Sequence, residues 1–389
     1  MSRIMRLVVF AVVATMLFAC GGGGGDGFLG DDENHLLSGT AAKGLIQNGQ
    51  VRVYAVSGAG QKGHLIDEVS TDAQGRFFAE LGGYGGTVLV EASGSYINEA
   101  TGVQEIVRED APLRAALNGV NGDRTIAVTP FSEMAVRRAG ALSPANVQAA
   151  NKLISELFRF DILTTQPLAP SANILELAPD HQVAATLALA ILCRLAVDEG
   201  LDFFAMLDDL SNQISTTNRF SAATLDALEQ AAENFFASAR NQTGITDPGS
   251  SKIPKIGRSP VRLRLHLVDV QNPGEVKGVE LAIVLPAGSL IDTDAAGRPL
   301  DDFLTLADGA NSLSQIHFQP ESPDSPGRVG LALMSTQGFG NGEFAFLDFD
   351  YLGPSAPAFE DFTVEAFAAV DGNGAELSQV KYVVVLESP

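Results

Sequence analysis

The chain has no tryptophan, only two cysteines and few basic residues for its 389 positions. Two cysteines allow at most one internal disulfide, so a disulfide-stapled framework is excluded. The 25 basic side chains face 47 acidic ones, which leaves a formal net charge of −22. This charge repels phosphate backbones, so we expect no nucleic-acid partner. The 46% hydrophobic share is ordinary for globular proteins, and the length predicts about two or three folded domains.

Motifs that would support a reaction are also missing. The sequence has no G-x-S-x-G nucleophile elbow, no H-E-x-x-H helix and no P-loop, and its five histidines lie at no zinc-binding spacing. Three carboxylate pairs are adjacent in sequence, which fits solvated surfaces better than the two sides of a catalytic cleft. These pairs are Asp208-Asp209, Asp301-Asp302 and Glu360-Asp361. We therefore expect a non-enzyme without a cofactor, and an enzyme with an unrecognised site is an alternative.

Two short patterns are similar to ligand-binding loops. Gly58–Gly63 matches G-x-G-x-x-G, but a dinucleotide site needs a helix next, and the residues that follow predict a strand. We interpret this segment as a hairpin loop. Asp292, Asp294 and Gly297 occupy positions one, three and six of a calcium loop, whereas position twelve is Phe303 instead of a bidentate glutamate. A solvated acidic loop is the favoured interpretation, and a calcium site is the alternative.

The first twenty residues have the order of a bacterial export signal. Arg3 and Arg6 give a positive start, and Leu7–Phe18 is an apolar run too short to span a bilayer. The segment Leu17–Cys20, with the sequence Leu-Phe-Ala-Cys, resembles the lipobox of bacterial lipoproteins. That resemblance implies a signal peptide over residues 1–19 and diacylation of Cys20. An ordinary signal peptide that happens to end in cysteine is the alternative.

The residues after the predicted cleavage site are typical of a tether. Gly21–Gly25 have no side chains to bury and lose much backbone entropy on folding, so we assign residues 20–37 as a flexible, lipidated segment. Two acyl chains give stable attachment to a membrane. Gram-negative lipoproteins retained in the inner membrane tend to carry aspartate directly after the cysteine, whereas this chain has Gly21. The resemblance therefore implies an exported lipoprotein of the outer membrane or cell surface.

Residues 38–128 predict short strands separated by turns. Val51, Val53 and Ala55 alternate with more polar residues, which is the period of a half-buried strand. The segment resembles the carboxypeptidase regulatory-like domain, a small transthyretin-like β-sandwich that serves as a non-catalytic accessory. The matching pieces are Ser38–Thr40, Gln50–Val56, Ser70–Phe77 and Val88–Ala92.

Residues 129–245 change to a helical pattern. Thr129 and Ser143 each precede a proline, the order expected for a capping residue followed by the first helical position. We predict a compact domain of four or five helices. The apolar stretch Val183–Cys193 is shorter than a membrane span, so we expect a buried core helix in which Cys193 is an inert thiol.

Residues 246–260 contain three prolines and two glycines and are interpreted as a linker. Beyond them, in residues 261–389, Val261, Leu263 and Leu265 alternate with basic residues, as in a strand with one solvated face. Further strand candidates follow, separated by turn signals, and no helical period is present. This pattern predicts a β-sandwich.

The same segment resembles a cohesin domain, the nine-stranded jelly-roll module of cellulosome scaffolds. The matching pieces are Gly278–Pro286, Gly327–Leu333 and Gly338–Phe349, within about a third of the chain. The resemblance implies a protein partner, a dockerin, whose helices pack on one face of a sheet. The chain differs from cellulosomal cohesins because its domain stands alone, without tandem copies.

The sequence therefore predicts a multidomain protein with a small N-terminal β-sandwich, a central helical domain and a C-terminal cohesin-like jelly-roll β-sandwich. The expected function is protein binding or scaffolding by a membrane-anchored lipoprotein. Carbohydrate binding in polysaccharide breakdown is the alternative. The absence of tryptophan and the five tyrosines argue against it, since sugar rings are usually held on exposed aromatic faces.

Overall fold

The computed structural model describes residues 34–170, 173, 178–246, 255–294, 296–307, 312–322, 325–352 and 357–387. The predicted signal peptide and the predicted lipidation site, Cys20, lie outside these residues. Strands account for 41% and helices for 23% of the structure, with several separate sheets. The coarse prediction of mixed α and β structure dominated by sheets is therefore confirmed.

Eight strands form the first part of the described chain. They are β1 His35–Ala41, β2 Gln47–Val56, β3 Lys62–Ser70, β4 Arg76–Gly82, β5 Val88–Ile97, β6 Gln104–Val107, β7 Leu113–Leu117 and β8 Arg124–Val128. One sheet has the order β4-β1-β8, and the other has the order β3-β2-β5-β6 with β7 also paired to β5. Leu37 on β1 is fully buried. The folded body therefore begins inside the segment that was predicted as a tether, because strand pairing starts at His35.

Five helices follow within the described residues: α1 Pro130–Ala139, α2 Pro144–Phe158, α3 Asp180–Asp198, α4 Phe203–Thr217 and α5 Ala222–Phe236. The Thr129 hydroxyl accepts from the Ser132 N–H and the Ser143 hydroxyl accepts from the Asn146 N–H, so both predicted caps are confirmed. Among the described residues, α3 is the one helix long and apolar enough to span a membrane, and 67% of its apolar window is buried in the protein. Cys193 on this helix is buried, as expected.

These strands and helices share one hydrophobic core that extends from Leu37 to Ile256. Helix α1 packs against β7, β8 and α2. Phe131 of α1 lies 4.6 Å from Phe158 of α2, measured between ring centroids. The predicted boundary between residues 38–128 and 129–245 therefore marks a change in secondary structure but not a change of core. Strands and helices bury their apolar side chains in the same cluster, so neither set of elements forms a core of its own.

Nine strands occur in the described part of the C-terminal segment. They are β9 Arg258–Val268, β10 Val276–Val284, β11 Ser289–Leu290, β12 Leu304–Leu306, β13 Ser312–Gln319, β14 Arg328–Phe339, β15 Gly342–Leu352, β16 Thr363–Val370 and β17 Lys381–Glu387. One sheet has the order β13-β14-β10-β16 and the other β11-β15-β9-β17, with β12 paired to β15. Leu263 from one sheet and Leu331 from the other belong to a second hydrophobic core, which lies between the sheets.

The C-terminal sandwich begins directly on the helical body. Ile256 is buried in the first core, and the Gly257 N–H donates to the Leu157 carbonyl at the end of α2, with an N···O distance of 2.6 Å. Arg258, the first residue of β9, pairs with Glu229 of α5 at 3.0 Å. The packed and paired residues therefore begin before the predicted end of the linker, and the two parts of the molecule touch at this joint.

Candidate docking face

Strand alternation gives the sheet β13-β14-β10-β16 a core side and an outer side. Val279 and Leu281 of β10 are buried in the sandwich core. Successive side chains on a strand point to opposite sides, so the residues between these core residues face outward. Strand register then aligns the outward positions, and Ala282 of β10 lies opposite Gly330 of β14 and Ala366 of β16.

We call this outer surface the small-residue face. Six of its positions are glycine or alanine, namely Gly278, Ala282, Gly330, Ala332, Ala366 and Ala368. The remaining members are Glu280, Val284, Leu313, Gln315, His317, Met334 and Val370. Val370 covers Gly278, whereas the other small side chains leave little bulk over β10, β14 and β16, so the backbone of a partner can approach these strands closely.

Two large apolar side chains lie on the small-residue face. Leu313 is 75% exposed and Met334 is 63% exposed. They are directly opposite each other on β13 and β14. In the free protein these two apolar side chains are exposed to water, which is unfavourable. A partner that covered them would remove this unfavourable exposure.

Glu280 lies between Ala332 and Ala368 on the neighbouring strands, in the middle of the small-residue face. It is exposed, and it makes no ion pair with another described residue. Arg328, at the start of β14, already pairs with Glu365 at 3.1 Å. The central carboxylate is therefore available to a cationic group on a partner.

The outer surface of the opposite sheet has a different character, and we call it the ion-paired face. Its members are Arg262, Arg264 and His266 on β9, Glu343, Phe346 and Asp348 on β15, and Val383, Val385 and Glu387 on β17. The Arg262 guanidinium donates two hydrogen bonds to the Asp348 carboxylate, with distances of 2.7 and 2.8 Å. It also lies 4.3 Å from the centroid of the Phe346 ring.

Arg264 connects the other charges of the ion-paired face. It pairs with Glu343 of β15 and Glu387 of β17, each at 2.7 Å. Hydrogen bonds to these two carboxylates raise the pKa of Arg264, and the bond from Arg264 lowers the pKa of Glu387. The charges on this face therefore satisfy one another, and a partner would have to break these bonds to use them.

A cleft of about 550 Å³ opens beside the ion-paired face. Its lining includes Lys255, Asp292, Asp302 and Asp350 together with the Arg262 side chain. The Lys255 amine pairs with Asp350 at 2.8 Å and with Asp292 at 3.2 Å. A single lysine amine thus contacts two of the cleft carboxylates.

The residues of the calcium-like loop make contacts with protein cations. Asp294 accepts hydrogen bonds from the Ala296 and Arg298 N–H groups and pairs with the Arg298 guanidinium at 2.7 Å. The bond from the Arg298 backbone is the main reason why the pKa of Asp294 is lowered. Asp292 faces the cleft, as described above. Within the described ranges, no group of three or more His, Cys, Asp or Glu residues could hold a metal ion.

The carboxylate pairs noted in the sequence occupy separate places in the fold. Asp208 on α4 contacts Arg137 of α1. Asp302 lines the cleft beside the ion-paired face. Asp361 ends a single turn of 3₁₀-helix and accepts a hydrogen bond from the Ala358 N–H at 2.8 Å.

The glycine-rich segment Gly58–Gly63 connects β2 to β3, so the predicted hairpin loop is confirmed. A strand follows it, where a dinucleotide site would need a helix. The Gly60 carbonyl accepts from the Leu142 N–H at 2.9 Å, which attaches the turn to the segment between α1 and α2. His266 lies on the ion-paired face and His317 on the small-residue face.

The small-residue face was not predicted from the sequence, although a signal for it is present there. Small residues alternate with core residues in three segments, Gly278–Ala282, Gly330–Ala332 and Ala366–Ala368. Each segment alone is a common strand pattern. Only the register of β10 with β14 and β16 places the three segments side by side.

Comparisons with known proteins do not place the chain in a family. No family model matches it. No curated protein matches it. Among solved structures, a 9R-lipoxygenase from Cyanothece aligns with 88% of this chain and 42% of its own length, at 9% identity and a TM-score of 0.17. At that TM-score the likeness carries no argument about fold or function.

Proposed function

We propose that this protein is a membrane-anchored, non-catalytic lipoprotein that binds a protein partner through the small-residue face. The contrast between the two outer surfaces of one sandwich carries the proposal. The ion-paired face satisfies its charges internally. The small-residue face leaves an apolar pair, Leu313 and Met334, exposed to water and leaves Glu280 without an ion pair among the described residues.

The shape of the small-residue face supports a protein rather than a small ligand. Small molecules bind in concave pockets that bury most of their surface, whereas this surface is the outer side of a four-stranded sheet. None of its members is Phe, Tyr or Trp, so it offers no platform for a sugar ring. The charge of Glu280 and the net charge of −22 favour a partner that presents lysine or arginine at the contact.

The strand content agrees with the cohesin resemblance. The described C-terminal segment has nine strands, which is the number that the resemblance implies. The face is centred on β10 and β14, which carry the matched segments Gly278–Pro286 and Gly327–Leu333. We therefore infer a dockerin-like partner that packs helices on this face and needs calcium for its own fold. The N-terminal body acts as an accessory that holds the sandwich away from the membrane.

The anchor belongs to the same proposal. Acylation of Cys20 would attach the chain to the outer membrane or cell surface, and the glycine-rich residues after it would give the folded part freedom to meet a partner. An acylated N-terminus and recovery in the membrane fraction are the expected observations.

Carbohydrate binding at the cleft is the second candidate function. The cleft volume of about 550 Å³ suits a small saccharide, and the Arg262–Asp348 pair offers hydrogen-bonding groups for hydroxyls. Phe303 and Phe349 line the cleft but are only 2% and 7% exposed, so stacking with a sugar ring is limited. We rank this function below protein binding for that reason.

The experiment uses the full-length lipoprotein in detergent as bait for envelope and secreted proteins of its host. Three baits are compared: wild type, Ala332→Arg on the small-residue face, and Val385→Arg as the matched control on the ion-paired face. Arginine at position 332 would lie beside Glu280 and cover the face, whereas Val385 is 43% exposed and accepts the same change.

We expect one protein to bind wild type and Val385→Arg, to be recovered about tenfold less on Ala332→Arg, and to be released by a calcium chelator. Equal recovery on all three baits would contradict the assignment of the face. Retention on polysaccharide alone would favour the second candidate function.

A further inference from the structure

A completely buried lysine lies in the N-terminal body, far along the chain from the docking face. Lys43, in the turn between β1 and β2, has no exposed side-chain area. Its Nζ atom is 4.1 Å from the centroid of the Tyr96 ring and 3.8 Å from that of the Phe203 ring. Lysines are almost never fully buried, so the contacts that hold this amine determine what it can do.

One carboxylate holds both Lys43 and a side-chain amide. Glu105 of β6 has its Oε2 atom 3.4 Å from the Lys43 Nζ. Its Oε1 atom accepts a hydrogen bond from the Asn98 Nδ2 at 2.8 Å. The amine and the amide are therefore brought together on the two oxygens of a single carboxyl group. The Tyr96 hydroxyl contacts both Glu105 and Lys43 and fixes this arrangement.

The carbonyl of the Asn98 side chain is polarised by the backbone. Its Oδ1 atom accepts hydrogen bonds from the Ala100 N–H at 2.9 Å and the Thr101 N–H at 3.3 Å. Two donors on one carbonyl oxygen stabilise the negative charge that forms there when a nucleophile attacks the carbon. Asn98 itself is 5% exposed.

We propose that Lys43 and Asn98 condense to form an intramolecular amide cross-link, with Glu105 as the proton carrier. Glu105 takes a proton from the Lys43 ammonium, and the neutral Nζ attacks the Asn98 Cγ. The Nζ–Cγ bond forms, Glu105 returns the proton to Nδ2, and the Cγ–Nδ2 bond breaks. Ammonia leaves with the remaining amine proton as ammonium, so the step needs no oxidant, reductant or co-reactant.

A pocket and a nearby thiol are compatible with this reaction. Tyr96, Asn98, Glu105 and Cys193 line a pocket of about 360 Å³, which gives ammonia a way out. The Cys193 thiol donates a hydrogen bond to Glu99 at 3.3 Å, and burial raises its pKa, so it does not compete as a nucleophile.

The cross-link would have a structural use. It would tie the β1–β2 turn to the end of β5, which are distant in sequence, and so limit the freedom of the unfolded chain. An exported chain with one buried cysteine among its described residues has no disulfide there to do this.

Mass spectrometry of the purified full-length protein tests the proposal. After denaturation and trypsin digestion, an amidated Lys43 is not cleaved, so the segment ending at Arg52 should appear joined to the segment ending at Arg108. The joined mass should be lower than the sum of the two peptides by one ammonia molecule. The variant Glu105→Gln keeps the size of the side chain but removes the base, and it should give the two chains unlinked.

A second variant tests the cross-link even if Glu105→Gln fails to fold. Asn98→Asp should give the same joined peptides with loss of one water molecule from the two chains, because a carboxyl group replaces the amide. Cleavage after Lys43 in wild type, with both peptides at full mass, would overturn the proposal. A wild-type cross-link to Glu105 or Glu99 instead, with loss of water, would overturn the assignment of Asn98.

Discussion

The two outer faces of the C-terminal sandwich are built by the same strand alternation. They differ in whether their charged side chains find partners within the protein. On the ion-paired face, Arg262 and Arg264 are held by carboxylates from both neighbouring strands. On the small-residue face, glycine and alanine occupy six outward positions, and Glu280 makes no ion pair within the described part of the chain. The charges of one face are paired within the protein, whereas the other face has an exposed apolar pair and a carboxylate that a partner could pair.

This difference has an energetic meaning. Exposed ion pairs contribute little to stability, but they make a surface costly to desolvate, because a partner must replace every bond that it breaks. On the small-residue face the partner has to supply a cation for Glu280 but has no internal ion pairs of Arg262 or Arg264 to break. Burial of Leu313 and Met334 would provide a hydrophobic contact with the partner. A cation of the partner at Glu280 would set the partner's orientation.

The largest difference is expected between the same substitution made on the core side and on the outer side of strand β14. Leu333 is 1% exposed and its neighbour Met334 is 63% exposed. Leu333→Asp buries a charge and should lower the free energy of unfolding by about 3–5 kcal/mol, whereas Met334→Asp should change it by less than about 1 kcal/mol. Thermal unfolding of both variants measures this. Equal losses would show that the register of β14 is misassigned.

A smaller effect is expected on the ion-paired face as the pH falls. The hydrogen bond from Arg264 lowers the pKa of Glu387, so this carboxylate stabilises the fold above its ordinary pKa, and the contribution disappears as the pH falls through the lowered value. Glu387→Gln should therefore unfold at a slightly lower temperature than wild type at neutral pH, and at the same temperature in strong acid. A difference that grows in acid would contradict the assignment.

The sequence predicted the elements of the fold better than their assembly. The capping residues Thr129 and Ser143, the hairpin at Gly58–Gly63 and the strand at Val261 follow from local patterns, and the structure has each of them. The shared core of strands and helices was not predicted, because alternation shows that a strand has an apolar side but not which element covers it. The packing of Ile256 against the helical body was not predicted, for the same reason.

The candidate site could not be predicted from any single segment of the sequence. Glu280 and Ala332 are far apart along the chain, and they become neighbours only through the pairing of β10 with β14. Lys43 and Glu105 are likewise joined by the fold rather than by a motif. Residues in regular motifs can be identified from the sequence, whereas a surface or a buried cluster requires the register.

Site-specific photo-crosslinking in the host shows which outer face of the sandwich contacts a partner. A photoreactive amino acid is placed at Gln315 on the small-residue face and, in a second strain, at Val383 on the ion-paired face. Both residues are exposed, and both lie on edge strands of the same sandwich. We expect a discrete cross-linked protein from position 315 that is absent when Ala332→Arg is added, and none from position 383. A discrete product from position 383 with none from position 315 would contradict it.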